Sequence, residues 1–180
     1  EAALAIAEKT KAPVISPADG RAPTVYVRLG DEPGAERWRW AAAAAAGAVA
    51  SLEAEEATLL VPAGADAATV GAMVEGFRLG SYRYEDFKSA DARPPVALSV
   101  AGHVDDAVRR AVQTADARAD VTNWARDLVN TPPDAKMPAA LADRIAEVAG
   151  EAGVRVEVWD KAGIEAEGMG GVLGVNRGSL

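Results

Sequence analysis

Ala125-Arg-Asp-Leu-Val-Asn-Thr-Pro-Pro133 joins the end of a long helix to a rigid turn. From Asp105 to Val129 there is no proline or glycine, and Val108, Ala111, Val112, Ala115, Ala119, Thr122 and Ala125 recur at three- and four-residue spacing. One continuous helix is predicted. At 1.5 Å per residue it runs roughly 37 Å, long enough to bridge two domains. Pro132-Pro133 ends it, because the residue before a proline is pushed out of the α region and proline has no N–H to donate. Asp105 and Asp106 stand where negative charge suits the N-terminus of that helix. Asp127 and Asn130 lie in its last turns, where their side chains can cap or brace free backbone groups.

On the N-terminal side, apolar β-branched runs alternate with alanine-rich helical stretches. Helices covering a mainly parallel or mixed sheet produce that pattern, so the fold class is α/β. Thr24 to Leu29 reads as a strand ended by Gly30 and the turn signals Asp31 and Pro33. Ala35 to about Leu52 reads as a helix with Trp38 anchoring one face and Arg37 and Arg39 in water. Ala57 to Val61 is the next strand. Asp66 is placed to cap a helix through Leu79 whose buried stripe is Val70, Met73, Val74 and Phe77. Val96 to Val100 is a further strand, and Glu1 to Glu8 reads as an alanine-rich helix.

Beyond the prolines, Pro138 is preset for the first position of a helix whose stripe is Leu141, Ile145, Val148 and Ala149. Gly150 to Gly153 stops it. Val154 to Trp159 alternates as a half-exposed strand should, and Val172 to Val175 is expected to be another strand.

The chain has 180 residues, 49% hydrophobic, a net charge of -8 and a pI near 4.7. That size supports one well-buried domain and part of a second. The acidic balance, without any clustered Lys and Arg, argues against binding nucleic acid through phosphates. With no cysteine, disulfides and thiolate metal sites are excluded. The longest apolar run, around Ala41 to Ala46, falls far short of the ~20 residues that cross a bilayer.

Candidate chemistry is sparse. Asp105-Asp106 and Glu85-Asp86 are adjacent carboxylates, and sequence neighbours do not face one another on a helix. Glu53, Glu55 and Glu56 read as a wet acidic turn. His103 is the only histidine, so neither a histidine pair for a metal nor a proton relay is available, and beside Gly102 it reads as a structural or surface residue. No serine sits in a Gly-x-Ser-x-Gly elbow. Gly168, Gly170, Gly171, Gly174 and Gly178 match neither a Walker loop nor a dinucleotide fingerprint and read as close backbone packing.

Three segments carry a resemblance to the leucyl (cytosol) aminopeptidases. Gly76-Phe-Arg-Leu-Gly-Ser-Tyr-Arg-Tyr-Glu-Asp-Phe-Lys88 looks like a phrase that ends a helix of that family's N-terminal domain. Trp124-Ala-Arg-Asp-Leu-Val-Asn-Thr-Pro-Pro133 resembles the hallmark that opens its catalytic domain. Gly153 to Lys161 and Gly168 to Ser179 are similar to the strand, short helix and glycine-rich strand that come next. The likeness covers roughly residues 70 to 180. Two positions depart from the pattern: Met137 replaces a usual Thr or Ser cap, and Asn176 stands where a second glycine is usual.

The resemblance implies a macrodomain-like N-terminal α/β domain over residues 1–118. A bridging helix and the truncated start of an α/β catalytic domain over 119–180 then follow. It implies a cytoplasmic, hexameric hydrolase of peptide catabolism that removes N-terminal amino acids and holds two divalent ions, Zn or Mn, between carboxylates and a lysine. The family's metal-binding and catalytic residues fall after Leu180. No residue of this chain is therefore expected to be catalytic, cofactor-binding or metal-ligating, and the chain alone is expected to be inactive. Its expected partners are the rest of the catalytic domain, peptide substrates and copies of itself, with no membrane. Both ends read as cut. The alternative is a self-standing, non-catalytic binding or regulatory module using its N-terminal sheet.

Overall fold

A computed structural model describes residues 6, 9–10, 12–16, 22–30, 34–88 and 94–178. The alanine-rich helix expected over 1–8 and the turn signals at Asp31 and Pro33 lie outside the described residues, apart from Ile6. Two compact units divide at Asn130 and Thr131, and each is described by itself.

In the first unit, β1 (Val14–Ile15) pairs antiparallel with β2 (Val25–Tyr26). β2 is shorter than the strand expected over 24–29: Val25 and Tyr26 pair with Ile15 and Val14, and the Thr24 carbonyl accepts from Ser16 N at 2.9 Å beside that ladder. Next come α1 (Ala35–Ser51), β3 (Glu56–Leu60), α2 (Ala67–Gly80), β4 (Ala97–Ala101) and α3 (Asp106–Asn130). β3 and β4 run parallel with α2 as their crossover, in the register Glu56 to Ala97 through Leu60 to Ala101. Both strands alternate between exposed and half-buried positions, so a single face meets the helices.

That face supplies Ala57, Leu59 and Leu98 to a core built on Ala42 and Ala46 of α1 and Met73 and Phe77 of α2, with Trp38 against it. Phe77, Val70 and Val74 are the largest fully buried side chains. Burying each contributes about 1.5–3 kcal/mol.

α2 lies between α1 and α3. Toward α1 it presents Gly76 and Gly80. A Cβ on Gly80 would come within 2.6 Å of Ala43 Cα, and one on Gly76 would overlap the Arg39 carbonyl. The two helix backbones therefore touch. Toward α3, the Gly71 position is in ordinary van der Waals contact with Ala111. Arg39, expected in water, instead ties α1 to α2 through Glu75 Oε2, to which its Nη2 donates at 3.0 Å, and it also pairs with Glu36.

Two helix starts use aspartate caps. Asp66 Oδ1 accepts from Thr69 N and Asp105 Oδ1 from Val108 N, each at 2.8 Å. Those bonds hold both carboxyls below their ordinary value: Asp66 chiefly through Thr69, Asp105 chiefly through the Val108 amide.

The second unit holds a 3-10 turn (Pro133–Ala135), α4 (Pro138–Glu151), α5 (Lys161–Ala166) and α6 (Gly170–Asn176). α4 begins as expected, with Pro138 in its first turn and no side-chain cap from Met137. Its expected stripe is not buried, since Ile145 and Val148 are exposed. Two strand expectations are corrected here. Residues 154–159 belong to no helix or strand ladder, and Val172 to Val175 lies inside α6. A strand needs a neighbour for its N–H and C=O groups, whereas a helix pairs them internally. Among the described residues no neighbouring strand reaches either segment.

Gly80→Ala is expected to destabilise the chain by about 2 kcal/mol or more, since forcing a methyl into packed backbone outweighs the helix-propensity gain. Gly47→Ala, on the exposed side of α1 with nothing within 4 Å, is expected to stabilise it by about 0.5–1 kcal/mol. Urea unfolding of both variants checks the pair. Removing either aspartate cap is expected to lower Tm at pH 7. With depressed folded pKa values, the caps' contribution is present above the ordinary 3.8 and is lost as pH falls below it. Thermal scans of Asp66→Ala and Asp105→Ala across that range check the sign.

Candidate functional site

The C-terminal end of α2 leaves backbone carbonyls without helical partners, as every helix end does. Here α3 supplies the donors. Asn123 Nδ2 donates to the Arg78 carbonyl at 3.4 Å and Arg126 Nη1 to the Leu79 carbonyl at 3.0 Å. The Ser81 hydroxyl also donates to the Arg78 carbonyl. Two residues past the helix, the Tyr82 hydroxyl donates to Asp127 Oδ1 at 2.8 Å and accepts from Asn130 Nδ2 at 3.0 Å. Arg126 lies over the Tyr82 ring, 5.3 Å from its centroid, within cation–π range. Asn123, Arg126, Asp127 and Asn130 share one face of α3, being spaced three, four and seven residues apart.

One turn nearer the start of α3, Arg78 of α2 reaches Asp116 and Asp120. Its Nε sits 2.8 Å from Asp116 Oδ1 in a charge contact whose angle is too poor for a hydrogen bond. Burial, offset by the Asn130 bond and reinforced by the Asp127 carboxylate, pushes the Tyr82 phenol above its ordinary value. The hydroxyl therefore stays protonated, as its donation to Asp127 requires.

Beside this cluster a cleft of about 550 Å³ is lined by Glu53, Glu55, Arg78, Tyr82, Asp120 and Asp127. A larger groove of about 820 Å³ runs past Val27, Trp38, Leu59, Met73 and Phe77. Most of its lining is apolar, with Tyr26, Glu56 and Thr58 beside it.

The carboxylates that stand out in the sequence form no metal-binding cluster among the described residues. Asp105 and Asp106 cap and flank the start of α3. Glu85 is bound by Lys88 and Arg83, which hold its carboxyl below the ordinary range, while Asp86 is exposed. His103 is exposed. Gly170, Gly171 and Gly174 belong to α6, so the expected glycine-rich strand is absent there. Among the described residues no three His, Asp or Glu side chains come close enough to hold a metal ion. The described residues offer no site for the pair of ions implied by the resemblance.

Asp127 and Asn130 brace the helix end through the Tyr82 hydroxyl. The backbone is served by Asn123 and Arg126, neither of which the sequence reading singled out. Thr122 and Ala125, which continue the helical spacing of the apolar positions, are exposed, and Asn123 and Arg126 are half-buried.

Residues 14–91 match the cytosol aminopeptidase family, N-terminal domain, and residues 123–180 match the cytosol aminopeptidase family, catalytic domain. A probable cytosol aminopeptidase of Nocardia farcinica is 39% identical over 184 residues, covering 96% of this chain and 35% of that protein. The bottromycin maturation enzyme BotP is similar in structure, with a TM-score of 0.81 and 40% identity over 93% of this chain and 37% of its own. A second structure of that enzyme is in complex with Mn. A tomato leucine aminopeptidase mutant, 20% identical with a TM-score of 0.78 over 92% of this chain and 35% of its own, shares the fold. The chain spans between 22% and 35% of the length of the curated relatives it matches.

Arg126→Met is expected to cost about 1–2 kcal/mol, because it leaves the Leu79 carbonyl without its charged donor. Arg118→Met, exposed on the same helix, is expected to stay within about 0.5 kcal/mol. Urea denaturation compares them. The phenolate absorbance lost in Tyr82→Phe is expected to be a component that develops above pH 10.0, which ultraviolet titration checks.

Proposed function

The chain belongs to the cytosol aminopeptidase family, and from that premise we propose that it forms the N-terminal domain and the opening of the catalytic domain of a metal-dependent aminopeptidase. The full protein removes N-terminal amino acids from peptides. One observation carries this reading: the N-terminal and catalytic-domain matches follow each other along one chain, at 14–91 and 123–180.

No residue of 1–180 receives a catalytic, cofactor-binding or metal-ligating role. The two ions, Zn or Mn, belong to residues outside this chain, in keeping with the Mn complex of BotP. The rest of the catalytic domain is the partner we assign to the exposed apolar side chains of the second unit, among them Ile145, Val154, Val158 and Val172. A cytoplasmic location and a hexameric state are what the family resemblance implies, and among the described residues no helix is long and apolar enough to cross a membrane. The binding-module alternative has no observation in its favour.

Residues 1–180 alone are expected to release nothing from a leucyl anilide and to bind Zn or Mn no better than a generic acidic surface. A polypeptide extended through the catalytic domain is expected to turn the anilide over only with metal. Metal-dependent turnover by the 180-residue chain that survives dialysis would overturn the assignment, as would an inactive extended protein.

A further inference from the structure

We propose that Tyr82 is the positioning residue for the last turn of α3, the turn from which the catalytic sequence continues into Thr131-Pro132-Pro133. Residues 123–130 match the catalytic domain in sequence, yet they lie in the same compact unit as the N-terminal domain. The junction is therefore not a free linker. Its eight residues are held on the end of α2.

What holds them is polar. The side chains that meet the end of α2 are Asn123, Arg126, Asp127 and Asn130, and their partners include the carbonyls of Arg78 and Leu79 and the Tyr82 hydroxyl. Hydrogen bonds weaken steeply with distance and angle, so such a face fixes rotation and axial position more sharply than apolar packing does. A slip of one residue turns an α-helix by about 100° and breaks every one of these contacts. Apolar burial offers little substitute here: Val129 is 77% exposed, Asn130 is exposed and Leu128 is only half-buried.

Within that face Tyr82 has a distinct place. Asn123 and Arg126 act on the backbone of α2, whereas a single oxygen, the Tyr82 hydroxyl, donates to Asp127 and accepts from Asn130. Removing that oxygen leaves the ring under Arg126 and deletes both bonds to the final turn. The prolines at 132 and 133 restrict the backbone of the segment that continues the catalytic sequence. The kinetic consequence rests on the aminopeptidase reading; the local one does not.

The experiment measures amide hydrogen exchange in the 180-residue chain and steady-state kinetics in the extended protein, for wild type, Tyr82→Phe and Asn130→Ala. Tyr82→Phe is expected to speed exchange at Leu128 to Asn130 about tenfold, the loss of two ordinary hydrogen bonds, while Met73 and Val74 in α2 keep their rates. Asn130→Ala is expected to reproduce a smaller part of that local change. In the extended protein Tyr82→Phe is expected to lower kcat several-fold with KM within twofold. Unchanged exchange at the final turn, or equal acceleration at every amide, would overturn the proposal, and so would an unaltered kcat in a variant whose final turn has loosened. An extended wild type that is inactive but shows the same selective exchange would defeat the aminopeptidase reading and support Tyr82 as the anchor of α3.

Discussion

The contact of two helix backbones at Gly76 and Gly80 is the constraint on which the rest of the first unit depends. Side chains ordinarily hold helix axes 8–10 Å apart, but here the Arg39 carbonyl and Ala43 Cα occupy the space a Cβ would need. The alanine run of α1 is the complement of those two glycines. Ala42 and Ala46 are buried and Ala43 meets Gly80 directly, so small residues on both sides bring the helices together. Close approach lets Met73 and Phe77 reach the face of β3 and β4 through Ala57, Leu59 and Leu98. A larger residue at 76 or 80 would push α1 away from the strands that it covers.

The same contact sets the end of α2 and hence the polar cluster. Gly80 is the last residue of α2, Ser81 closes it, and Tyr82 follows at once. With α1 against one side of that end, the free carbonyls of Arg78 and Leu79 are available to α3 on another, which answers with Asn123 and Arg126. Apolar packing thus governs the start of α3, where Val108, Ala115 and Ala119 are buried. Hydrogen bonding governs its end. The change along one helix explains why the apolar stripe read from the sequence holds as far as Ala119 and then fails: Thr122 and Ala125 turn outward where Asn123 and Arg126 turn in.

Much of the first unit was legible because local signals and packing agree. Asp66 and Asp105 announce helix starts, Val70, Met73, Val74 and Phe77 keep helical spacing, and Pro132-Pro133 ends α3 where expected. The family resemblance was legible for a different reason, since it rests on phrases whose physical purpose the sequence did not disclose. Gly76, Gly80 and Tyr82 were all quoted for that likeness, but a list of residues cannot say that the glycines mark a helix crossing or that Tyr82 meets Asp127 45 residues later. Long-range polar partners leave no periodicity behind. The clue lay in Asn123, Arg126, Asp127 and Asn130, a polar face on a helix whose earlier inward face is apolar.

The second unit failed differently. Val154 to Trp159 has the alternation of a strand, and alternation reports which side chains would share a face, not whether a neighbouring backbone exists to pair with. Val172 to Val175 is rich in β-branched residues between glycines, and in the absence of a paired edge its polar groups close on themselves as α6. Nothing in α4, α5 or α6 is buried. These helices therefore rest on local terms such as Pro138 in the first turn of α4 and the Asp160 carboxylate accepting from Gly163 N at 2.9 Å. Local terms of that size leave helices of 14, 6 and 7 residues marginal, because nucleation is costly and tertiary burial normally supplies most of the stability. The two units thus differ in how they are held: the first by a packed core, the second by backbone hydrogen bonding, with its valines exposed to solvent.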